Sequence, residues 1–218
     1  MEVGVRVPSR DEIKAKFTSI YQDNSFGSDE TVSGPGSELP RTAALRAGLQ
    51  GVLARHKITS ILDIPCGDFH WMQHLDLTGI DYLGADIVEE LIDRDRDEYE
   101  ISYAVEGPRF TELDIVYDEL PEVDLVLSRD VFGHFTDSMI LAALENVKRS
   151  RSIYFATTTF PDLFHTWPGI LGGWRPINLE DDKFELPRPV WYIVEYTSDQ
   201  YGQKCLGLWE LDALRGVA

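Results

Sequence analysis

The sequence is short of four things, and each shortage narrows what it can be. No apolar run approaches the roughly 20 residues that cross a bilayer, and Met1–Arg10 has no apolar stretch behind a basic one, so it does not read as a secretory signal. Cysteine is scarce. Cys66 and Cys205 stand far apart and give no disulfide framework and no zinc site to build on, which points to a reducing cytoplasm. Basic side chains are few. The 20 Lys and Arg against 38 Asp and Glu leave a net charge of −18, which repels the phosphate backbone of nucleic acids and anionic membrane surfaces. Neither nucleic acid nor membrane is therefore an expected partner, although the same acidity also serves solubility. Internal repeats and low-complexity segments are absent as well. What remains, 218 residues of which 43% are hydrophobic and 27% charged, suits one soluble α/β domain (1–218) with room for a core.

The chain is organised around Ile61-Leu62-Asp63-Ile64-Pro65-Cys66-Gly67-Asp68-Phe69-His70-Trp71. Ile61, Leu62 and Ile64 read as a buried strand. Gly67 permits a tight turn, and Asp68 is placed to cap a helix over Phe69–Leu75. Carboxylates at the carboxyl end of a strand sit where open α/β sheets bind ligands.

Before this strand, Arg10–Asp23 reads as a helix with Ser9 as N-cap and Ile13, Phe17 and Ile20 at helical spacing. Residues 24–37 have loop composition, either a linker or a loop folded over a ligand. Arg41–His56 is a second helix with Leu45, Leu49, Val52 and Leu53 on its apolar face. After the turn, His70 and His74 have a metal-like spacing but no third ligand, and read as surface histidines. A second strand ends at Asp86, a helix runs over Val88–Tyr99, and a third strand lies within Arg109–Ile115 with Asp114 at its end. The fourth, Val123–Ser128, delivers Arg129, Asp130 and His134 to the same edge. Asp137–Ser150 is helical, with Ile140, Leu141, Leu144 and Val147 inward. Ser152–Thr159 is a fifth strand, 160–189 has the composition of a lid, and Val190–Tyr196 with Lys204–Leu211 form a terminal antiparallel hairpin.

Four strand ends therefore carry a carboxylate: Asp63, Asp86, Asp114 and Asp130. Like charges repel when close, so a ligand with hydroxyls, an amine and a cationic centre would justify them. Asp86 lies about 20 residues past the glycine turn, the distance at which a carboxylate meets a ribose diol. The turn lacks the further glycines that admit a pyrophosphate, and Asp68 would repel one. A nucleoside without phosphate fits better than a dinucleotide.

At this point the sequence resembles the class I S-adenosylmethionine-dependent methyltransferases. Asp63–Asp68 resembles their first motif, Asp86 their ribose-binding acid, Leu113-Asp114-Ile115 the adenine segment, and Ser128-Arg129-Asp130 the fourth motif. A closer resemblance, over nearly the whole chain, is to a subfamily of small bacterial and viral methyltransferases often found beside glycosyltransferases. It rests on Ser33-Gly34-Pro35-Gly36-Ser37, Pro65–Met72, Arg129-Asp130 with His134, Thr157–Phe160, Trp174–Leu179 and Leu206-Gly207-Leu208-Trp209. His165-Thr166-Trp167-Pro168 and Val131-Phe132-Gly133 depart from that pattern, where the acceptor would sit.

The resemblance implies a Rossmann-like seven-stranded sheet, mostly parallel with a terminal antiparallel hairpin and helices on both faces. It implies S-adenosyl-L-methionine as cofactor, held by Ser37, Asp63, Pro65, Gly67, Asp68, Asp86, Ile87, Asp114, Ile115, Ser128 and Arg129. Residues 1–57 would supply N-terminal helices and a cofactor-covering loop, and 160–189 a substrate lid. Asp63 would lie near the cofactor's amino-acid end, with Gly67 the point of closest backbone approach. His134 is expected to be the general base, oriented by Asp130 or a nearby carboxylate, or else to cap the next helix. Arg129 would meet the cofactor carboxylate or pair with Asp130 or Asp68. Trp174 and Arg175 would contact the acceptor or pack the lid. No metal is expected, Asp130 with Asp68 being the pair of carboxylates that could hold one. The leading activity is O-methylation of a sugar or glycan hydroxyl, with a glycosyltransferase as associated partner. The alternatives are N-methylation of a small amine, amino acid or peptide, and a cofactor-binding subunit without catalysis of its own.

Overall fold

The computed structural model describes residues 6–100, 107–164, 167–184 and 186–215. Helix α1 spans Arg10–Gln22, and Ser9 and Glu12 form its capping box, which satisfies two of the orphan donors of the first turn. Helix α2 spans Leu39–His56 and ends where Lys57 turns left-handed. The strands are β1 (Ser60–Asp63), β2 (Asp81–Asp86), β3 (Arg109–Glu112), β4 (Leu125–Ser128), β5 (Tyr154–Thr159), β6 (Trp191–Ser198) and β7 (Gly202–Glu210). Helix α3 (Glu89–Asp95) runs on into a wider turn at Arg96–Glu100. Helices α4 (Asp137–Arg149) and α5 (Leu211–Arg215) complete the set.

The seven strands form one sheet in the order β3-β2-β1-β4-β5-β7-β6. β1 pairs in parallel with β2 and β4, as do β2 with β3 and β4 with β5, while β7 is antiparallel to both β5 and β6. The expected seven-stranded sheet with its reversed hairpin is therefore present. Strand order reverses between β1 and β4, and a crevice opens at the carboxyl ends there.

The central strands are apolar on both sides because both faces are covered. Leu62, Val126 and Phe155 point into a core with Ile13 of α1, Ile140 and Leu144 of α4, and Leu211 of α5. Their neighbours Ile61, Leu125, Leu127 and Ala156 point the other way, onto Leu45, Leu49, Val52 and Leu53 of α2. Each such buried aliphatic side chain contributes about 1.5–3 kcal/mol.

Three expectations need correction. No α-helix follows the glycine turn. Only a single 3-10 turn forms, at Met72–His74. Phe69 is left-handed at φ 53°, and its ring is buried against Tyr82, Tyr99 and Phe110, which takes the chain off a helical path. Asp68 therefore caps nothing. In α4, Leu141 is 42% exposed, and Met139 and Ala143 take the inward places beside Ile140, Leu144 and Val147. The segment 160–189 is not all lid. Ile177, Leu179, Phe184 and Leu186 are buried in the main core, and Phe160 N–H donates to the Ile177 carbonyl. Within it, His165 and Thr166 lie outside the described residues.

Candidate active site

The crevice at the sheet's carboxyl edge is roofed by α1 and by the loop between α1 and α2. Ser37, Asp63, Pro65, Gly67, Asp86, Ile87, Asp114, Ile115, Arg129, Asp130 and His134 all line it. Ile13, Phe17, Ile20 and Tyr21 line it from α1, and Phe26, Val32 and Ser33 from the loop. Residues 24–37 are thus a strap folded over the crevice, not a free linker.

Asp68 explains why. Its carboxylate accepts from Thr31 Oγ1 at 2.7 and 2.8 Å, from the Val32 amide at 3.0 Å and from Ser33 Oγ at 3.0 Å. It holds the strap and is not itself a wall of the crevice. Gly67 has φ 58°, and a Cβ there would collide with the Ser33 side chain. The close approach that requires this glycine is made by the strap.

Asp63 ends β1 fully buried, accepting from Tyr82 Oη at 2.7 Å. Burial pushes its carboxyl up to about 7. Asp86 ends β2 and accepts from the Val88 amide at 3.0 Å; burial pushes it up to about 6. Asp114 follows β3 and accepts from the Val116 amide at 2.8 Å through Oδ1. Its Oδ2 is buried with no hydrogen-bond partner, and burial pushes this carboxyl up to about 6 as well. A buried acceptor without a donor is costly, so Asp114 is poised for a donor from outside the chain. Ser128 is fully buried behind the wall, and its Oγ also has no hydrogen-bond partner.

Arg129 is not free to meet a ligand's carboxylate. Its Nε and Nη2 donate to the two oxygens of Glu195 at 3.1 and 2.6 Å. Nη2 also donates to the Gly36 carbonyl at 2.8 Å, and Nη1 lies 3.2 Å from Asp130 Oδ2. Its guanidinium lies over the Trp71 ring, 5.6 Å from the centroid. Burial alone would raise the Asp130 carboxyl, but Arg129 and Lys204 outweigh it and hold this group far below the ordinary carboxylate range. Asp130 sits at φ 60°, with its amide donating to Thr158 Oγ1 at 2.9 Å.

His134 closes a 3-10 turn at Phe132–His134. Its Nδ1 lies 2.7 Å from the Gly173 carbonyl. A carbonyl only accepts, so Nδ1 carries the proton and Nε2 offers a lone pair. Burial lowers the imidazole pKa, against the Gly173 carbonyl and Asp130, which raise it. The partner that orients His134 is thus a backbone carbonyl of the lid. Asp130 spends its Oδ2 on Lys204, at 2.5 Å, and on Arg129. The Phe26 ring packs 4.8 Å from the imidazole.

The lid residues divide. Gly172 N–H donates to the His134 carbonyl at 2.8 Å and Arg175 N–H to the Gly133 carbonyl at 3.1 Å. Trp174, between them, is 51% exposed and packs edge-on to Tyr201 at 5.7 Å. Arg175 is buried, donating to Asp137 at 2.5 Å and to the carbonyls of Phe135 and Trp167. It fixes the lid, and neither residue lines the crevice.

Reading the sequence missed Glu195, Lys204, Tyr82, Trp71 and the crevice-facing side of α1. The signal available for the first two was a charged residue within each apolar run of the terminal hairpin, Glu195 after Ile193-Val194 and Lys204 before Cys205-Leu206.

No family model matches the sequence, and no curated protein does. Solved structures do match its fold. Magnesium protoporphyrin IX methyltransferase from Synechocystis, with bound SAM, aligns over 95% of this chain and 100% of its own at 13% identity and TM-score 0.63. PigF with SAH aligns over 93% and 59% at 17% identity and TM-score 0.58. The methyltransferase domain of bacterial CtHen1 aligns over 79% and 100% at 14% identity and TM-score 0.57. At these identities the likeness is one of architecture: this chain has the fold that these methyltransferases share.

Proposed function

We propose that the chain is an S-adenosylmethionine-dependent methyltransferase that O-methylates a hydroxyl of a small-molecule or glycan acceptor, with His134 as general base. The observation that carries this reading is the juxtaposition in one crevice of strand-end carboxylates and a histidine with a free lone pair. The fold supports it, since the matched structures include methyltransferases holding SAM or SAH.

The residues present fit the cofactor. The unpartnered Asp114 Oδ2 suits the donor of an adenine amino group, and Asp86 suits a ribose diol. Ile87, Val88, Leu91 and Ile115 give apolar flanks for a base. Arg129 is the one lysine or arginine lining the crevice among the described residues, and it is already paired, so the site suits a ligand without phosphate. Ser37, Asp63, Pro65 and Gly67 would hold the amino-acid end. When bound, the cofactor supplies a methyl group on a sulfonium centre.

The chain's own task is to bind, orient and deprotonate. His134 Nε2 takes the acceptor's proton while its Nδ1–H stays on Gly173. The strap, whose Phe26, Val32, Ser33 and Ser37 line the crevice, would limit water and help to hold the acceptor in line, and such positioning supplies much of the acceleration of a displacement. Trp174, exposed beside Tyr201, is suited to stack on a sugar face. A cytoplasmic setting and association with a glycosyltransferase belong to the same reading. A second reading, N-methylation of a small amine, is favoured by the Asp130 carboxylate, which stays ionised at the crevice wall.

The test incubates the protein with labelled S-adenosylmethionine and a panel of glycans, amines and peptides, and locates the label by mass spectrometry. Label on oxygen is expected. Label on nitrogen alone would replace the first reading by the second, and absence of cofactor binding by calorimetry would end both.

A further inference from the structure

Pairing between β6 and β7 runs from Trp191↔Leu208 to Val194↔Cys205 and resumes at Tyr196↔Lys204. Glu195 is the extra residue, a β-bulge. Glu195 lies two residues after the buried Ile193, on the same inward face, where it is buried and grips Arg129 through both oxygens. Lys204, from β7, is buried too. Its ammonium lies 2.5 Å from Asp130 Oδ2 and 3.1 Å from Glu195 Oε2. Two cations and two anions from three segments thus form a closed group. Only Asp130 and Arg129 reach the crevice. The loop above is packed on the same group, since a Cβ at Gly36 would stand 3.2 Å from Asp130 Oδ2 and 3.9 Å from Lys204 Nζ.

We infer that Glu195 and Lys204 are positioning residues: as a buried pair they hold Arg129 and Asp130 at the crevice wall and keep the charge beside His134 balanced. His134 meets Asp130 from its own loop, Lys204 from β7, the Gly173 carbonyl from the lid and the uncharged Phe26 ring from the strap. Arg129 and Glu195 stand behind Asp130, and Asp63 faces the same crevice from β1. Removing Lys204's charge leaves the group net negative and favours the imidazolium. Removing Glu195's leaves it net positive and disfavours it. Inside a protein such a change is poorly screened. A part that served packing alone would not move the two variants in opposite directions.

The inference rests on the reading of His134 as base, and the experiment separates the two. The imidazole of His134, assigned with His134→Gln, is titrated by NMR in the resting protein. Lys204→Met is expected to raise its midpoint by about one pH unit and Glu195→Gln, which is further from the ring, to lower it by less. Lys204→Arg leaves it in place, and the double variant Lys204→Met/Glu195→Gln returns towards the wild type. Movement in one shared direction, or none in folded variants, overturns the inference. Should Lys204→Met fail to fold, Glu195→Gln and Lys204→Arg decide: a fall in the first with none in the second supports it, and any other result overturns it. The acid limb of kcat/KM for methyl transfer should track the midpoint. A midpoint that moves as stated beneath a fixed limb leaves the charge balance standing and removes His134 as the base.

Discussion

Nδ1 of His134 donates to the carbonyl of Gly173 at 2.7 Å, and this bond decides which ring nitrogen meets the crevice. A lid carbonyl, rather than a carboxylate, fixes the tautomer. Loss of the acceptor nitrogen in His134→Ala should lower kcat by about 10²–10⁴-fold, with the dissociation constant for S-adenosylmethionine nearly unchanged by calorimetry. Near-wild-type turnover would remove His134 from the chemistry. Because burial lowers the imidazole pKa, the acid limb of kcat/KM should fall below the ordinary histidine value of about 6.5. A limb at or above 6.5 would contradict the environment described.

Asp114 should be read through binding. Its Oδ2 is buried and without a partner, so a ligand donor there gains a charge-assisted bond worth about 1.5–3 kcal/mol. Asp114→Ala is expected to weaken S-adenosylmethionine roughly 10- to 100-fold by the same measure. An unchanged affinity would move the adenine away from Asp114.

Gly67→Val tests the strap. The substitution places a β-branched residue at φ 58° and drives its Cβ into Ser33. A cost of about 1–3 kcal/mol is expected from the backbone alone, together with faster amide exchange at Val32 and Ser33. Asp68→Ala should loosen the same amides without backbone strain. Full protection in both variants would mean that the strap is held elsewhere.

Asp95 gives a pH dependence with a definite sign. It is fully buried, its Oδ2 has no hydrogen-bond partner, and burial raises its carboxyl to about 8. A carboxyl raised above its unfolded value of about 3.9 favours folding while protonated. That contribution is complete below about pH 4 and is lost as pH rises through 8. Asp95→Asn, which stays neutral, should therefore gain on the wild type between pH 5 and 8.5, by on the order of 10 °C in Tm. A constant difference across that range would refute the assignment.

Much of this architecture was legible in the residues. The apolar runs of β1 and β4, each followed by an acid, and the helical spacings of α1 and α2 marked those elements. The helix after Gly67 was not legible in the same way. Residues 69–75 carry helical spacing, but the Phe69 ring is claimed by a tertiary cluster with Tyr82, Tyr99 and Phe110, and long-range packing overrides local preference. For Arg129 the pairing with Asp130 was legible as one of its two readings, but Glu195, its other partner, lies 66 residues away and was not.

The bond from Arg129 to the Gly36 carbonyl, and from the same guanidinium to Glu195, joins the early part of the chain to its last hairpin. The consequence concerns synthesis. A chain still growing on the ribosome can pair β1, β2 and β4 and bury much of the core before residue 190 exists. It then carries the acids that would bind a nucleoside, but Arg129 has only Asp130 as counter-ion and lacks the two oxygens of Glu195. The partners that fix Arg129 and Asp130 at the crevice wall arrive when β6 and β7 dock, a late event because contacts so distant in sequence close slowly. The fixed placement of Arg129 and Asp130 should therefore arrive with the hairpin, after most of the fold is in place.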